Sequence, residues 1–231
     1  MRRQWLAFCR RAGAAQREGE AFADLDRRYR QPGRHYHTWA HVGACLRALR
    51  RARPGLEQSG AQALELAVWF HDAVYEPGRK DNEEASAELA LRWAEALGLA
   101  PEVGRQAARL ILATRHQQAA PPQEDPPEAL LRDIDLAVLG AGRARYLRYE
   151  RGIAREYSAL PPAAFREGRA RVLREFLSRP ALYSTPGFHR RLERRARRNL
   201  AGALARLESA RPMRRRPARR PTGPADRSDP R

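Results

Sequence analysis

The amino-acid sequence predicts an all-α protein built as one bundle of helices. Apolar residues recur three and four positions apart along most of the chain, as they do on the buried face of an amphipathic helix. No segment alternates apolar and polar residues as a half-buried strand does, and no internal repeat is present. We therefore expect about eight to ten helices in one domain over residues 1–209, followed by a disordered tail over residues 210–231.

The sequence of the first half of the chain predicts four helical segments in order. Two short amphipathic helices come first, and Pro32-Gly33 separates them from a helix that we expect from about His37 to Arg53. The segment from Ala63 to Tyr75 is apolar nearly all round, which is typical of a helix at the buried centre of an α-helical domain. The apolar positions that predict the first two helices are Trp5, Phe8 and Cys9, then Phe22, Leu25 and Tyr29.

The second half predicts further helices around a polar, proline-rich loop from Gln117 to Pro127. Asp81 and Glu84 have the spacing of an N-cap residue and its capping-box partner, so a helix begins there. Asp133 and Asp135 lie in another apolar segment, where a buried carboxylate needs a partner. The apolar faces of the other helices include Leu89, Trp93 and Leu97, then Val103, Leu110 and Ile111, then Tyr146, Tyr149 and Ile153, then Phe165, Leu173 and Phe176, and last Leu192, Ala196 and Leu200.

Composition and charge narrow the class of protein. The formal net charge is +18, but Lys80 is the only lysine, so the arginine excess partly reflects a compositional bias. The predicted tail carries eight arginines against two aspartates, which suggests weak, nonspecific nucleic-acid binding there. Cys9 and Cys45 are too few for a disulfide framework, and no apolar run is long enough for a membrane span or a signal peptide. We expect a cytoplasmic protein without membrane contact.

Two short clusters hold four of the six histidines. In a helix His37 and His41 share a face, because they are four residues apart. His71 and Asp72 follow the most apolar segment, and adjacent residues reach one site only where a helix ends or is distorted. Any single histidine is more often a surface or core residue than a ligand. Three histidines and an aspartate in this arrangement nevertheless indicate a metal ion with nitrogen and oxygen ligands.

These motifs resemble the HD superfamily of metal-dependent phosphohydrolases, whose sequences carry an isolated histidine, a His-Asp pair and a distant aspartate followed by leucine. The similarity extends to an uncharacterised bacterial branch of that superfamily and covers nearly the whole chain to about Leu207. The segments that carry it are Arg34-His35-Tyr36-His37 through His41-Val42, Phe70-His71-Asp72-Ala73-Val74-Tyr75, Asp81-Asn82-Glu83-Glu84-Ala85-Ser86-Ala87, Asp133-Ile134-Asp135-Leu136 and Arg155-Glu156-Tyr157.

The resemblance implies a ligand set. His41, His71, Asp72 and Asp135 would bind the ion, and Asp135 is preferred to Asp133 because leucine follows the superfamily's last aspartate. In some branches an extra histidine after the fourth helix completes a site for two metal ions. His116 would be that ligand here, and the alternative is that it caps a helix end. A mixed set of imidazoles and carboxylates suits Mn, Fe, Co, Ni or Zn and also accepts Mg.

The resemblance also implies catalytic roles. Tyr36-His37 and His41 are similar to a motif of the cyclic-nucleotide phosphodiesterases, in which the first histidine donates a proton, so His37 would be the general acid. Asp72 would act beside it as ligand and catalytic residue. Arg34 is a candidate phosphate clamp, with a solvated arginine as the alternative. Glu76, Glu83 and Glu84 could orient the water, hydrogen-bond to the ligands or contact the substrate. Of these we assign Glu84 to catalysis and Glu83 to the substrate, with a helix cap as the alternative for Glu84.

The sequence therefore predicts a phosphohydrolase in which a metal-bound hydroxide attacks a phosphomonoester or phosphodiester of a nucleotide or small metabolite. The alternative is a non-catalytic module with the HD fold that binds nucleotide or nucleic acid. The complete ligand set favours the enzyme, since a degenerate module is expected to lose ligands. The basic last helix favours the binding module, and no signal in the sequence defines an oligomeric state.

Overall fold

A computed structural model describes residues 1–52, 57–115 and 126–209. These residues form ten helices and no strand, which confirms the all-α prediction. The predicted tail and His116 lie outside the described residues. The helices are α1 (Arg2–Ala12), α2 (Glu18–Tyr29), α3 (Trp39–Ala52), α4 (Gln58–Phe70), α5 (Asn82–Ala96), α6 (Pro101–Leu112), α7 (Pro126–Leu136), α8 (Arg143–Glu156), α9 (Pro162–Ser178) and α10 (Pro186–Ser209).

Helix α4 is the centre of the bundle, because it is apolar on every side. Leu64, Leu66, Trp69 and Phe70 have no solvent exposure, and α3, α5, α6 and α7 all pack against α4. Burial of each such side chain stabilises the fold by about 1.5–3 kcal/mol. The turn that follows α4 therefore begins in the core, where His71 and Ala73 are buried.

A single cluster of buried apolar side chains joins the ten helices, from Trp5 in α1 to Ala203 in α10. Trp5 packs edge-on against Trp69 of α4 with ring centroids 5.3 Å apart. The Tyr29 hydroxyl at the end of α2 donates a hydrogen bond of 2.9 Å to the Trp69 carbonyl oxygen. The two N-terminal helices are thus fixed to the same core as the rest of the described chain.

Three predictions about helix ends are corrected by the structure. Helix α3 begins at Trp39 and not at His37, because Thr38 precedes it and its hydroxyl accepts the Ala40 N–H at 3.3 Å. Helix α4 ends at Phe70, five residues before the predicted end. Asp81 makes no side-chain cap at α5 and pairs with Arg79 instead, so the expected capping box is not formed.

No helix in the described ranges combines the length and apolar character that a membrane crossing requires.

Candidate metal centre

Four side chains from three parts of the fold meet beside α4. His41 comes from the first turn of α3, His71 and Asp72 follow α4, and Asp135 lies in the last turn of α7. His41 Nε2 lies 3.0 Å from His71 Nε2, 2.9 Å from Asp135 Oδ1 and 3.2 Å from Asp72 Oδ2. All four residues that the resemblance implies as ligands are therefore brought together.

The end of α4 explains how two adjacent residues reach one site. The His71 N–H still bonds the Ala67 carbonyl oxygen at 2.8 Å, as in a helix, but the Ala73 N–H bonds the Phe70 carbonyl oxygen at 2.9 Å. The chain therefore tightens into a turn after Phe70, and His71 Nε2 comes within 3.1 Å of Asp72 Oδ2. A continuing helix would splay the two side chains by about 100°.

The hydrogen bond at the far nitrogen of His71 fixes which nitrogen faces the centre. His71 Nδ1 lies 3.1 Å from the Val68 carbonyl oxygen, to which it donates its hydrogen. In the neutral imidazole this leaves the Nε2 lone pair directed at His41, Asp72 and Asp135. Ligand histidines in proteins usually have their second nitrogen fixed in this way.

Asp72 provides the test of whether these residues fit a metal ion. Its Oδ2 atom is buried and makes no hydrogen bond of acceptable geometry, although His41 Nε2 and His71 Nε2 lie within 3.2 Å. An unsatisfied buried carboxylate oxygen is costly. Ligand atoms bound at about 2.1 Å to one ion lie about 3.0–3.4 Å apart, close to the distances seen here. The residues present therefore fit a divalent ion.

Cys45 is a fifth candidate ligand that the sequence interpretation missed. It lies one turn after His41 in α3, and its Sγ atom is 3.6 Å from His41 Nε2. His41, Cys45, His71 and Asp135 offer ligand atoms that all lie within 4.8 Å of one another. The spacing of four residues between His41 and Cys45 is the signal that could have found it. A thiolate ligand would favour a softer ion such as zinc over magnesium.

The charged side chains of the centre shift one another's pKa values. Burial alone lowers the pKa of the His41 and His71 imidazoles, but anionic neighbours, Asp72 and Asp135 among them, raise it well above its usual range. Burial raises the pKa of Asp72, yet the His71 and His37 imidazoles hold it well below its usual range. Imidazole and carboxylate charges thus compensate one another in this cluster, and a divalent ion would displace imidazole protons.

We expect metal affinity to fall as the pH falls, because the imidazoles must be neutral to bind the ion. Because the pKa of both imidazoles is raised, protons compete with the metal ion even at pH values above about 6.5, the ordinary pKa of histidine. Binding should release up to about two protons, which weakens affinity by up to about 100-fold per pH unit while both are protonated. Calorimetric titration in buffers of different ionisation enthalpy counts these protons. Binding without proton release would contradict this centre.

Asp133 does not take part in the metal centre. It is buried, and its carboxylate accepts hydrogen bonds from the Ser184 N–H at 2.9 Å and from the Thr185 N–H and hydroxyl at 2.7 and 2.6 Å. These bonds hold the segment that leads into α10. The structure therefore places Asp135 at the centre and gives Asp133 a structural position.

Substitution of the two aspartates should separate these roles. Asp135→Asn removes a charged ligand and should weaken metal affinity by about 100-fold or more, since even residues outside the ligand set contribute 10- to 100-fold. Asp133→Asn should keep the metal and lower the free energy of unfolding by about 1–3 kcal/mol, because its hydrogen bonds are impaired. Elemental analysis and thermal unfolding measure both effects. Metal loss in Asp133→Asn together with retention in Asp135→Asn would reverse the assignment.

Glu156, to which the sequence interpretation gave no role, organises the loop before α3. Its Oε1 atom accepts the N–H groups of His35, Tyr36 and His37 at 2.7–2.9 Å. Its Oε2 atom lies 2.7 Å from His37 Nδ1 and accepts the Tyr75 hydroxyl at 3.2 Å. Burial raises the pKa of Glu156, but these hydrogen bonds lower it to about 2. A charged carboxylate therefore fixes both the loop and the His37 ring.

His37 lies next to the centre although it is outside the helix. Its ring centroid is 6.1 Å from that of His41, and it stacks on Tyr75 at 3.8 Å. The expectation that both histidines share one helix face is wrong, because α3 begins after His37. The loop held by Glu156 brings the two rings together instead.

Close packing of α8 against this loop depends on Gly152, one turn before Glu156. A Cβ atom at Gly152 would lie 3.0 Å from Tyr36 Cβ and 3.3 Å from the His35 carbonyl oxygen. We expect Gly152→Ala to displace the loop and lower the free energy of unfolding by about 1–3 kcal/mol. Gly168→Ala in α9, where a Cβ atom meets nothing within 4 Å, is the control and should raise stability by about 0.4–1 kcal/mol. Chemical denaturation measures the free energy of unfolding of both variants. Equal changes in the two would show that α8 and the loop are not closely packed.

Arg34 is buried beneath the loop, and most N–H groups of its guanidinium bond to neighbouring protein atoms. Its guanidinium group bonds the carbonyl oxygens of His37, Asp72 and Ala73 at 2.6–3.2 Å and the Gln31 side chain at 3.2 Å. Four of its five N–H groups are thus engaged. Arg34 ties the loop to the turn after α4, and this leaves little capacity for the predicted phosphate clamp.

The other predicted residues are not brought to the centre. Glu84 pairs with Arg115, and no contact in the described chain joins Glu83 or Glu84 to the ligand cluster. Glu76 lies in the exposed turn before α5, where its N–H bonds the Asn82 side chain at 3.0 Å. Their predicted roles with water and substrate thus receive no support from contacts with the ligands.

A cavity of about 850 Å³ opens onto the centre, and His41, Cys45 and Asp135 form part of its wall. His37 and Asp72 do not line this cavity.

No protein-family model, no curated protein and no solved structure matches the chain.

Proposed function

We propose that the protein is a metal-dependent phosphohydrolase. The observation that carries this proposal is the convergence of His41, His71, Asp72 and Asp135, with ligand atoms 2.9–3.6 Å apart. These are the residues that the resemblance to the HD superfamily implies as ligands. The structural arrangement and the sequence motifs therefore support the same class of enzyme.

A divalent ion held by these residues would lower the pKa of a bound water and screen the charge of phosphoryl oxygens. The buried ligands and the apolar layer around α4 exclude bulk water from one side of the centre. The cavity on the other side gives a phosphate group access to His41 and Asp135. This combination of a closed ligand shell and an open side is typical of catalytic metal sites.

His37 is the residue best placed to move a proton. Glu156 accepts the hydrogen of Nδ1, which leaves Nε2 as the nitrogen that can donate a proton to a substrate. In our proposal His37 Nε2 donates this proton to the oxygen of the leaving group. Because His37 does not line the cavity, the role requires the leaving group to extend past His41 toward Tyr75.

The first experiment is an activity survey of the metal-loaded protein. We expect hydrolysis of phosphomonoesters or phosphodiesters, tested with p-nitrophenyl phosphate, bis(p-nitrophenyl) phosphate and a set of nucleotides, each with different added ions. Activity should disappear on chelation and in His71→Ala. A protein that binds metal but hydrolyses none of these compounds would favour the alternative of a non-catalytic binding module.

Replacement of His37 by alanine tests its role as proton donor. We expect near-normal metal content and a loss of about 10²- to 10⁴-fold in turnover on substrates with poor leaving groups. The loss should shrink sharply on p-nitrophenyl esters, which need little protonation of the leaving group.

His189→Ala is the control, because His189 is an exposed histidine of α10 that does not line the cavity. It should leave turnover and metal content unchanged. Equal loss in His37→Ala on good and poor leaving groups, with metal retained, would assign His37 to a step other than leaving-group protonation.

A further inference from the structure

The cavity beside the metal centre is strongly basic. Four helices line it, and three of them each contribute two arginines to its wall. Asp135 is the only acidic residue of the lining, and it belongs to the ligand cluster. The six arginines are Arg47 and Arg51 of α3, Arg145 and Arg148 of α8, and Arg191 and Arg195 of α10.

The pairing of these arginines distinguishes them from many others in the chain. Arg169 and Arg197 exemplify arginines paired with carboxylates, at 2.7 Å from Glu150 and Glu193. None of the six has a carboxylate partner within the described ranges. Arg191 and Arg195 donate only to the carbonyl oxygens of Gly187 and Gly140. An arginine-rich composition explains their number, but it does not explain why unpaired arginines converge on one cavity.

We propose that this cavity binds a small organic molecule with several phosphate groups. One phosphate would lie at the metal centre beside His41 and Asp135, with its leaving group directed toward Tyr75. The other phosphates would lie on the part of the molecule that remains bonded to this phosphate, and the arginines would bind them. This inference rests on the proposed function, because it names the substrate class of the same site. The planar guanidinium group binds phosphate through paired hydrogen bonds, so six of them provide for more than one such group.

The shape and lining of the cavity favour a small molecule over a nucleic acid. Its volume of about 850 Å³ lies within the range of small-molecule sites. Part of the wall is apolar and built of small side chains, Ala44, Ala48 and Val138 among them, which suits an organic group. The aromatic residues of the lining, Tyr36, Tyr149 and Phe188, are buried or half-buried, so they form no exposed platform for stacked bases.

The experiment compares two double variants of α8 that remove the same charge. Arg145→Gln with Arg148→Gln changes the cavity wall, and Arg143→Gln with Arg151→Gln changes exposed arginines of the same helix outside the cavity. The probes are inorganic phosphate, pyrophosphate and tripolyphosphate, titrated at constant ionic strength into the full-length protein. Metal-loaded and metal-free protein are both measured, because polyphosphates also chelate the ion.

For the unaltered protein we expect tripolyphosphate to bind tightest and phosphate weakest. The cavity variant should bind tripolyphosphate at least about tenfold more weakly, with a smaller change for phosphate, and the control variant should stay within about twofold. This difference should persist without metal. Equal weakening in both variants, or equal affinity for the three probes, would overturn the proposal. So would an oligonucleotide that displaces tripolyphosphate and binds more tightly.

Binding and turnover separate this inference from the proposed function. Selective loss of tripolyphosphate binding in the cavity variant, without hydrolysis of any phosphate ester, would support the cavity ligand and reject the enzyme. Hydrolysis that shows no preference for compounds with several phosphates, and that the cavity variant retains, would support the enzyme and reject this substrate class.

Discussion

The interaction on which the site depends is the meeting of two imidazoles and two carboxylates in a largely buried layer beside α4. His41 and His71 are buried, and the Asp72 oxygen between them has no hydrogen bond of its own. Charged groups in such a layer must be balanced, by protons or by an ion. Protons on the imidazoles, or a divalent ion in their place, would provide this balance.

A second buried charge, the Glu156 carboxylate, positions the loop and the His37 ring on one side of that centre. Glu156 accepts three consecutive N–H groups and the His37 ring, and its side chain is fully buried. Arg34 performs the complementary task, because it binds carbonyl oxygens of the same loop and of the turn after α4. The loop that carries His37 is irregular in conformation, and Glu156 of α8 and Arg34 at the start of the loop bond several of its N–H and carbonyl groups.

The fold class and the central helix could be predicted from the sequence, because apolar periodicity encodes them directly. The ligand set came from the resemblance to the HD superfamily, and the structure brings its four residues together. That these residues bind a metal ion stays a prediction. The loop was mistaken for helix, since His37 and His41 have helical spacing and only long-range bonds from Glu156 hold the segment in another conformation. The position of Arg34 depends on carbonyl oxygens exposed by the end of α4, which no local pattern reveals. The basic cavity joins α3, α8 and α10, so it emerges only from tertiary packing.

The central claim is that one ion binds where the four ligand atoms converge. Anomalous X-ray diffraction from crystals of the metal-loaded protein tests it most directly, because the ion is located without reference to activity. The account predicts a peak within bonding distance of His41 Nε2, His71 Nε2, Asp72 and Asp135, about 2.0–2.3 Å from each ligand atom. A peak elsewhere in the protein, or none at this position in metal-saturated crystals, would contradict it.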